Sequence, residues 1–411
     1  MNKIRLKKIV WLLAGIVLVP LSGYAQSTSS PYSLFGIGEV DMGNYGENSG
    51  MAGLGIGFRQ ENTLNNANPA SLTSIMEKTF IFDGSVFGKF SRYQGQGKKH
   101  WESNGNIQRI AIGFRAAKNW MMSVGLVPYS SMGYKIEIYS PIEGSTLTSK
   151  STFSGEGGLN KIYWSNAVRL SRNFSAGVNS SVIFGTMTHV ETDNLWYIQD
   201  QSRGQKIHFD FGLQYVGNLN TNTRLTIGAV GGYEAKMDMH NTRLAYDADN
   251  NLVTDQVKVT TQQVLPEFYG IGFTINRRNR VVGGIDYRFQ KWSRMGSTGT
   301  SVKYKDMHKL SAGVSYIPSM FAGRKYWQLI KYQAGVTVND SYLKMGGDNP
   351  VNYAATLGAV FPMRNSNMLN FAVEYGKTGM TGNRNAVLEN YVKFTFGFSF
   401  KEAWFLKMRY E

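Results

Sequence analysis

Cysteine is absent from all 411 residues, which excludes disulfides, thiolate nucleophiles and Cys-ligated zinc together. Histidine is scarce. The five residues, at 100, 189, 208, 240 and 308, show no metal-ligating spacing. There is no His-Glu-x-x-His and no P-loop. The run Gly53-Leu54-Gly55-Ile56-Gly57 lacks the third spaced glycine, the preceding strand and the following helix of a dinucleotide loop. No metal, cofactor or enzymatic activity is therefore expected. His208 and Asp210 share one strand face and are the nearest approach to a catalytic pair, but two polar residues on such a face are the ordinary material of internal hydrogen bonding. Long apolar runs are also missing after residue 25, so no membrane-spanning helix is expected there.

The first 25 residues differ. Lys3, Arg5, Lys7 and Lys8 precede the run IVWLLAGIVLV, and small residues follow at Gly23 and Ala25. A basic head, a short apolar centre and a small-residue cleavage site describe a secretory signal peptide, with the cut expected near Ala25. The competing reading is a retained anchor, for which the apolar run is short. Net charge is +16 for the whole chain and +12 once this segment is gone. In an exported protein such an excess points away from nucleic acid and towards anionic lipid surfaces or simply solvated turns.

What the sequence has in abundance is alternation. Ile207, Phe209, Phe211, Leu213 and Tyr215 alternate with His208, Asp210, Gly212 and Gln214. The same period recurs at Val281–Phe289, around Tyr332–Val336 and at Val392–Phe400. Neighbouring side chains of a strand point to opposite faces, so each segment has one apolar and one polar side. About fourteen such segments are expected between residues 78 and 400, joined by connections that alternate between long and short. One link, residues 317–327, breaks that alternation. A soluble sandwich, a propeller or a lipocalin-like barrel gives no reason for the pattern. A transmembrane antiparallel β-barrel does, because its periplasmic turns are short, its outer loops long and its strand number even. Closure also leaves no unpaired edge in hydrocarbon. The expected fold is thus all-β, in the outer membrane of a Gram-negative bacterium, with surrounding lipids and lipopolysaccharide as its medium.

Residues 26–77 are rich in Gly, Asn and Ser and hold no sustained period. They are too few for an independent domain with a good core. A plug inside the barrel lumen accounts for them; the competing reading is a loose periplasmic extension. The segment ends on Asn65-Asn66-Ala67-Asn68-Pro69-Ala70-Ser71-Leu72, and Met51-Ala52-Gly53-Leu54-Gly55 precedes it. Together with Gly157-Gly158-Leu159-Asn160 at the fourth strand and Tyr287–Trp292 at the ninth, these runs resemble the FadL-type outer-membrane transporters of hydrophobic compounds. The resemblance implies a 14-stranded barrel with an N-terminal hatch in the lumen, of which Asn68, Pro69 and Ala70 form the signature. It implies passive uptake of small hydrophobic molecules such as long-chain fatty acids. It also implies a kinked third strand with a lateral gap, for which Pro128 is the candidate, since proline cannot donate to the ladder; a benign bulge is the plainer alternative. The chain departs from that pattern at its end. Residues 401–411, KEAWFLKMRYE, extend beyond Phe400 as more strand or a short periplasmic tail.

Strand phase puts Arg109, Arg115, Asp210, Asp286, Arg288, Lys331 and Glu374 towards the lumen. Both signs are present, so these residues either pair across the lumen and hold the plug, or offer an arginine to a ligand carboxylate. Similar barrels also serve as non-transporting subunits of larger outer-membrane complexes for secretion or barrel assembly. The channel is the first reading of the sequence, and the structural subunit is its alternative.

Overall fold

The computed structural model describes residues 30–403, apart from positions 42, 44–45, 96, 143, 145, 147, 194, 250, 255–256, 296, 299–301, 320–324, 346–348, 364–366 and 380–386. The expected signal peptide and residues 404–411 lie outside the described residues. Fourteen antiparallel strands close into one ring. In chain order they are β1 (Thr79–Gly95), β2 (Lys98–Ala117), β3 (Trp120–Pro141), β4 (Thr148–Arg169), β5 (Phe174–Thr192), β6 (Trp196–Asn220) and β7 (Thr223–Gly232). They continue as β8 (Glu267–Arg277), β9 (Val281–Lys291), β10 (Met307–Tyr316), β11 (Lys331–Asp340), β12 (Val351–Pro362), β13 (Met368–Gly379) and β14 (Leu388–Ala403). Each strand pairs with its chain neighbour, and β1 pairs with β14 from Thr79↔Ala403 to Gln94↔Leu388 to close the wall. The last strand thus runs three residues past Phe400.

Several connections that alternation alone reads as long loops are strand instead. β1 and β2 continue as a paired hairpin to Gly95↔Lys98, and β3 and β4 to Pro141↔Thr148. The longest link carries its own hairpin, Ala235–Asp247 with Val257–Leu265, whose first strand pairs with the outer half of β6. These extensions carry the wall beyond the span that alternation marks, because polar β-branched and charged residues pair as well as apolar ones once water bathes both faces.

The two faces of the wall are inverted relative to a soluble protein. On β6, Phe211 is 56% exposed whereas Asp210 beside it is 5% exposed. Ile207, Leu213 and Tyr215 are exposed, and His208 and Gln214 are buried. The same split separates Ile285 and Tyr287 from Asp286 on β9, and Phe394 and Phe396 from Thr395 on β14. A continuous apolar outer surface around a polar inner one is what a hydrocarbon environment requires of a barrel.

Residues 30–78 contain three short 3₁₀ turns, Pro31–Leu34, Gly46–Met51 and Pro69–Ser74, and a two-residue strand, Glu39–Val40. Their contacts fall on the polar faces of strands all round the ring: β3 to β6 for Pro69–Ser74, and β10 to β14 with β1 for Gly46–Met51. A segment that touches the inner faces of opposite wall strands is threaded through the ring.

Candidate functional site

The Asn-Pro-Ala run sits where three wall strands have no side chains. Asn68 caps the turn Pro69–Ser74, its Oδ1 accepting from the Ala70 N–H at 3.1 Å. Its Nδ2 donates to the Ile56 carbonyl at 2.9 Å and to the Leu213 carbonyl of β6 at 3.1 Å. Pro69 fixes the first turn residue and holds Asn68 extended. Both Pro69 and Ala70 are buried. They lie on the bare backbone of Gly177 and Gly212, which pair directly across β5 and β6. A Cβ at Gly177 would stand 2.7 Å from the Ala70 nitrogen, and one at Gly212 would stand 2.2 Å from Asn68 Oδ1. Gly228 on β7 is tighter still, with the Ile56 carbonyl oxygen 1.9 Å from an added Cβ. The sequence motif is therefore one half of a contact whose other half is three wall glycines.

Charged residues inside the ring pair with the threaded segment or with one another. Arg109 on β2 meets Asp83 on β1 at 2.5 Å, both 2% exposed, and donates to the Leu64 carbonyl at 2.5 Å. Lys331 on β11 pairs with Glu47. Asp286 on β9 accepts from three successive backbone N–H groups, those of Gly55, Ile56 and Gly57. Arg115, at the short-turn rim, donates to the Ile75 carbonyl and pairs with Glu77 at 3.2 Å. Asp210 pairs with Lys161, with His208 Nδ1 2.9 Å away, and His208 Nε2 faces the Tyr233 carbonyl. His208 is thus held through Nε2 by a carbonyl, while Nδ1 lies beside a carboxylate without a hydrogen bond to it. Arg288 lies over the Phe268 ring at 4.3 Å, and Glu374 accepts from Tyr391 Oη at 2.8 Å. The structure brings Arg109, Arg115, Asp286 and Lys331 onto the threaded segment. Sequence reasoning misses their partners Asp83, Glu47 and Lys161. Asp83 and Lys161 share the inward phase of their strands, which is the signal that could have found them.

The outer mouth is closed by apolar packing. Trp292, 0% exposed, stacks on Tyr342 with ring centroids 4.4 Å apart. Tyr304 also stacks parallel to Tyr342, with ring centroids 6.1 Å apart. Tyr304 and Tyr342 come with a small three-stranded sheet, Ser297–Thr298, Val302–Tyr304 and Leu343–Met345. Beneath it Ile37, Met132, Leu159, Met237 and Met307 form a buried cluster, with Leu34 and Phe35 packed on it. Tyr342 Oη donates towards the carbonyls of Phe35 and Gly38, at 3.1 and 2.6 Å, which fastens this cover to the threaded segment. The cavity on the inner side of the cover has a volume of about 220 Å³. Its lining mixes charged residues, among them Lys89, Lys309, Lys393, Glu374 and Glu389, with apolar ones such as Val40, Phe87, Met307 and Leu343.

Pro128 marks an interruption of the wall. β2 and β3 pair only from Ala117↔Trp120 to Ile110↔Leu126. Beyond Leu126 the edge of β3 turns from β2 to the threaded segment, where Glu39 pairs with Ser131 and Val40 with Ser130. Asp41 adds an N–H to the Tyr129 carbonyl at 3.0 Å. The β3–β4 register shifts between Pro128 and Ser130. Opposite the shift, Gly157 and Gly158 on β4 adopt φ of +109° and +139°, and a Cβ on Gly158 would meet the Ser130 carbonyl oxygen at 2.4 Å. Gly157 and Gly158, paired with Met132 and Ser131, thus lie just past the irregularity at Pro128, an adjacency of segments about thirty residues apart that no local pattern displays.

The fold is shared with known channels at low sequence identity. The toluene transporter TodX of Pseudomonas putida superposes with a TM-score of 0.60 at 13% identity, covering 90% of this chain and all of that one. A Pseudomonas aeruginosa FadL homologue gives 0.58 at 13%, covering 87% and 97%. The CymD monoaromatic hydrocarbon channel gives 0.55 at 14%, covering 90% and 98%. The structure is therefore a FadL-like barrel, as the Asn-Pro-Ala resemblance implies. No curated protein matches the sequence. The sequence model of the BamG family matches residues 5–411, nearly the entire chain, and the chain belongs to the BamG family.

Proposed function

We propose that this chain is an outer-membrane barrel with a fixed plug, residues 26–77, and that it serves as a non-transporting subunit of a larger outer-membrane complex. The observation that carries this reading is the filling of the lumen. The buried Lys331–Glu47 ion pair, the Arg109 bond to the Leu64 carbonyl, the three N–H groups on Asp286 and the Tyr342 hydroxyl on the Phe35 and Gly38 carbonyls all bind the threaded segment to the wall. Moving such a segment breaks these contacts together, and hydrogen bonds to charged groups contribute about 1.5–3 kcal/mol each. The cavity behind the cover is small, about 220 Å³, and at least five charged side chains border it, which an apolar solute would have to pass. The apolar exterior and the short turns on one end support a bilayer setting with both termini of the barrel on the periplasmic side.

A second reading, a channel for small hydrophobic molecules such as long-chain fatty acids, is favoured by one observation. The seam between β2 and β3 beyond Leu126 is bridged by only two residue pairs from the plug, and it lies beside lipid-facing Ile107 and Ile110. One experiment separates the two. The purified full chain is placed in liposomes for fatty-acid and toluene uptake, and is also isolated from its native membrane in mild detergent. The subunit reading expects uptake equal to that of empty vesicles and a stable stoichiometric partner. Uptake above empty vesicles, abolished by fastening the plug to β3, establishes the channel instead.

A further inference from the structure

At the short-turn end, below the threaded segment, lies a cavity of about 620 Å³. Its lining holds Arg59, Arg169, Arg172, Arg224 and Arg280, against one carboxylate, Glu61. Lys331 also borders it but is already paired with Glu47. Among the described residues none of the five arginines forms an ion pair. Arg59 is held by neutral oxygens instead: Thr73 Oγ1 at 2.6 Å, and Ser175 Oγ and Gln214 Oε1 at 3.4 Å. Arg169 donates to the Thr73 carbonyl at 2.5 Å, and Arg280 to the carbonyls of Ile317 and Pro318. The guanidinium of Arg59 is pushed down to about 10, first by burial and then by Arg169 and Arg224, with Glu61 opposing weakly. Like charges gathered on neutral anchors around an open cavity form a site built for an anion, for which the described residues bring only Glu61.

The geometry points to a docking site for an acidic peptide segment of a partner protein, entering the barrel from its short-turn end. Three features favour a peptide over a lipid headgroup or a free phosphate. The site lies inside the ring, walled from the bilayer by the strands. Its volume falls in the range of sites that take several side chains or a small ligand, far beyond one ion. Val216, Val282, Ile317 and Met368 interrupt the basic lining and offer apolar contact that an inorganic anion has no use for. The inference holds under either reading of the lumen, because the vestibule lies below the plug and needs neither transport nor a particular complex.

The test uses the full chain in detergent micelles and a fluorescein-labelled peptide of alternating Glu and Val, with a Lys-Val peptide as control. Fluorescence anisotropy should show saturable binding of the acidic peptide only, weakening at least tenfold between about 50 and 300 mM salt as charge is screened. Arg172→Gln with Arg224→Gln, both at exposed positions, should raise Kd by at least tenfold. Arg172→Lys with Arg224→Lys should retain most of the binding. If the double glutamine variant does not fold, Arg172→Gln alone should still raise Kd about threefold. The proposal is overturned if the glutamine variants bind as the parent does, if the Lys-Val peptide binds equally, or if pyrophosphate at matched charge displaces the peptide completely. It is equally overturned if anionic phospholipid vesicles compete as well as unlabelled peptide does. Loss of peptide binding with an intact liposome result, or the reverse, keeps this inference separable from the function proposed above.

Discussion

The carboxylate of Asp286 on the ninth wall strand accepts the backbone N–H of Gly55 at 2.6 Å, and the N–H groups of Ile56 and Gly57 close on it at 2.8 and 3.3 Å. One side chain of the wall thus satisfies three consecutive donors of a segment more than two hundred residues away. Asp286→Ala should destabilise the protein by about 3 kcal/mol or more, since hydrogen bonds to a charged group contribute about 1.5–3 kcal/mol each. Asp286→Asn should recover part of that loss, because one amide oxygen remains as acceptor. Thermal unfolding in detergent, with limited proteolysis at residues 51–58, measures both. An unchanged midpoint and unchanged cleavage for the alanine variant would refute the tie.

Arg109 and Asp83 are a buried pair, each 2% exposed. Removing one partner leaves the other charged and unpaired in a poorly solvated interior. Arg109→Met should cost about 3–5 kcal/mol, whereas Arg109→Met with Asp83→Leu should return most of it. A double-mutant cycle on unfolding midpoints reads the coupling, and additive losses would show that the pair does not act as a unit.

Glycine on the inner wall is a matter of space at Gly212 and Gly228. Gly228→Ala and Gly212→Ala should each lower stability by about 1–3 kcal/mol, because the new Cβ overlaps the Ile56 carbonyl or the Asn68 side chain. Gly88→Ala, where nothing lies within 4 Å of the added Cβ, is the matched control and should be neutral or slightly stabilising. The electrophoretic shift between folded and heat-unfolded barrel gives the comparison. Equal behaviour of all three variants would remove the close-approach argument.

Val40 and Ser130 face each other across the short ladder that bridges the seam. Directly opposed residues of an antiparallel pair have Cα atoms about 4.5–5.5 Å apart, within disulfide reach. Val40→Cys with Ser130→Cys, in a chain that has no other cysteine, should cross-link on mild oxidation. Under a fixed plug the oxidised and reduced proteins should keep the same partners and the same lack of uptake. Failure to cross-link would mean that the segment does not occupy this edge.

Much of the barrel is legible in the residue order. Strict alternation at Ile207–Tyr215 and its repeats identifies the wall strands, because period two has only one backbone that satisfies it. The inward phase of Arg109, Asp286 and Lys331 follows from the same parity. The outward hairpins do not show, since residues 98–106 and 148–159 carry mixed polar runs that pair only because their neighbours hold them in register. The adjacency of Gly157 and Gly158 to the irregularity at Pro128 is equally hidden. Proline announces a broken ladder, but which glycines lie beside it depends on the register of a different strand.

By itself the sequence determined the strands, their number and the side of each that meets lipid, because these depend on neighbours one and two residues apart and on the polarity each environment tolerates. It also determined that Asn68-Pro69 is a turn, from the restricted backbone of proline. Only the tertiary structure decided that this turn rests on Gly177, Gly212 and Gly228, that Glu47 meets Lys331, and that Tyr342 covers Phe35 and Gly38. Those contacts join residues more than a hundred positions apart, and their pairing is fixed by closure of the ring, which sets every strand's height and angle relative to the segment threaded through it.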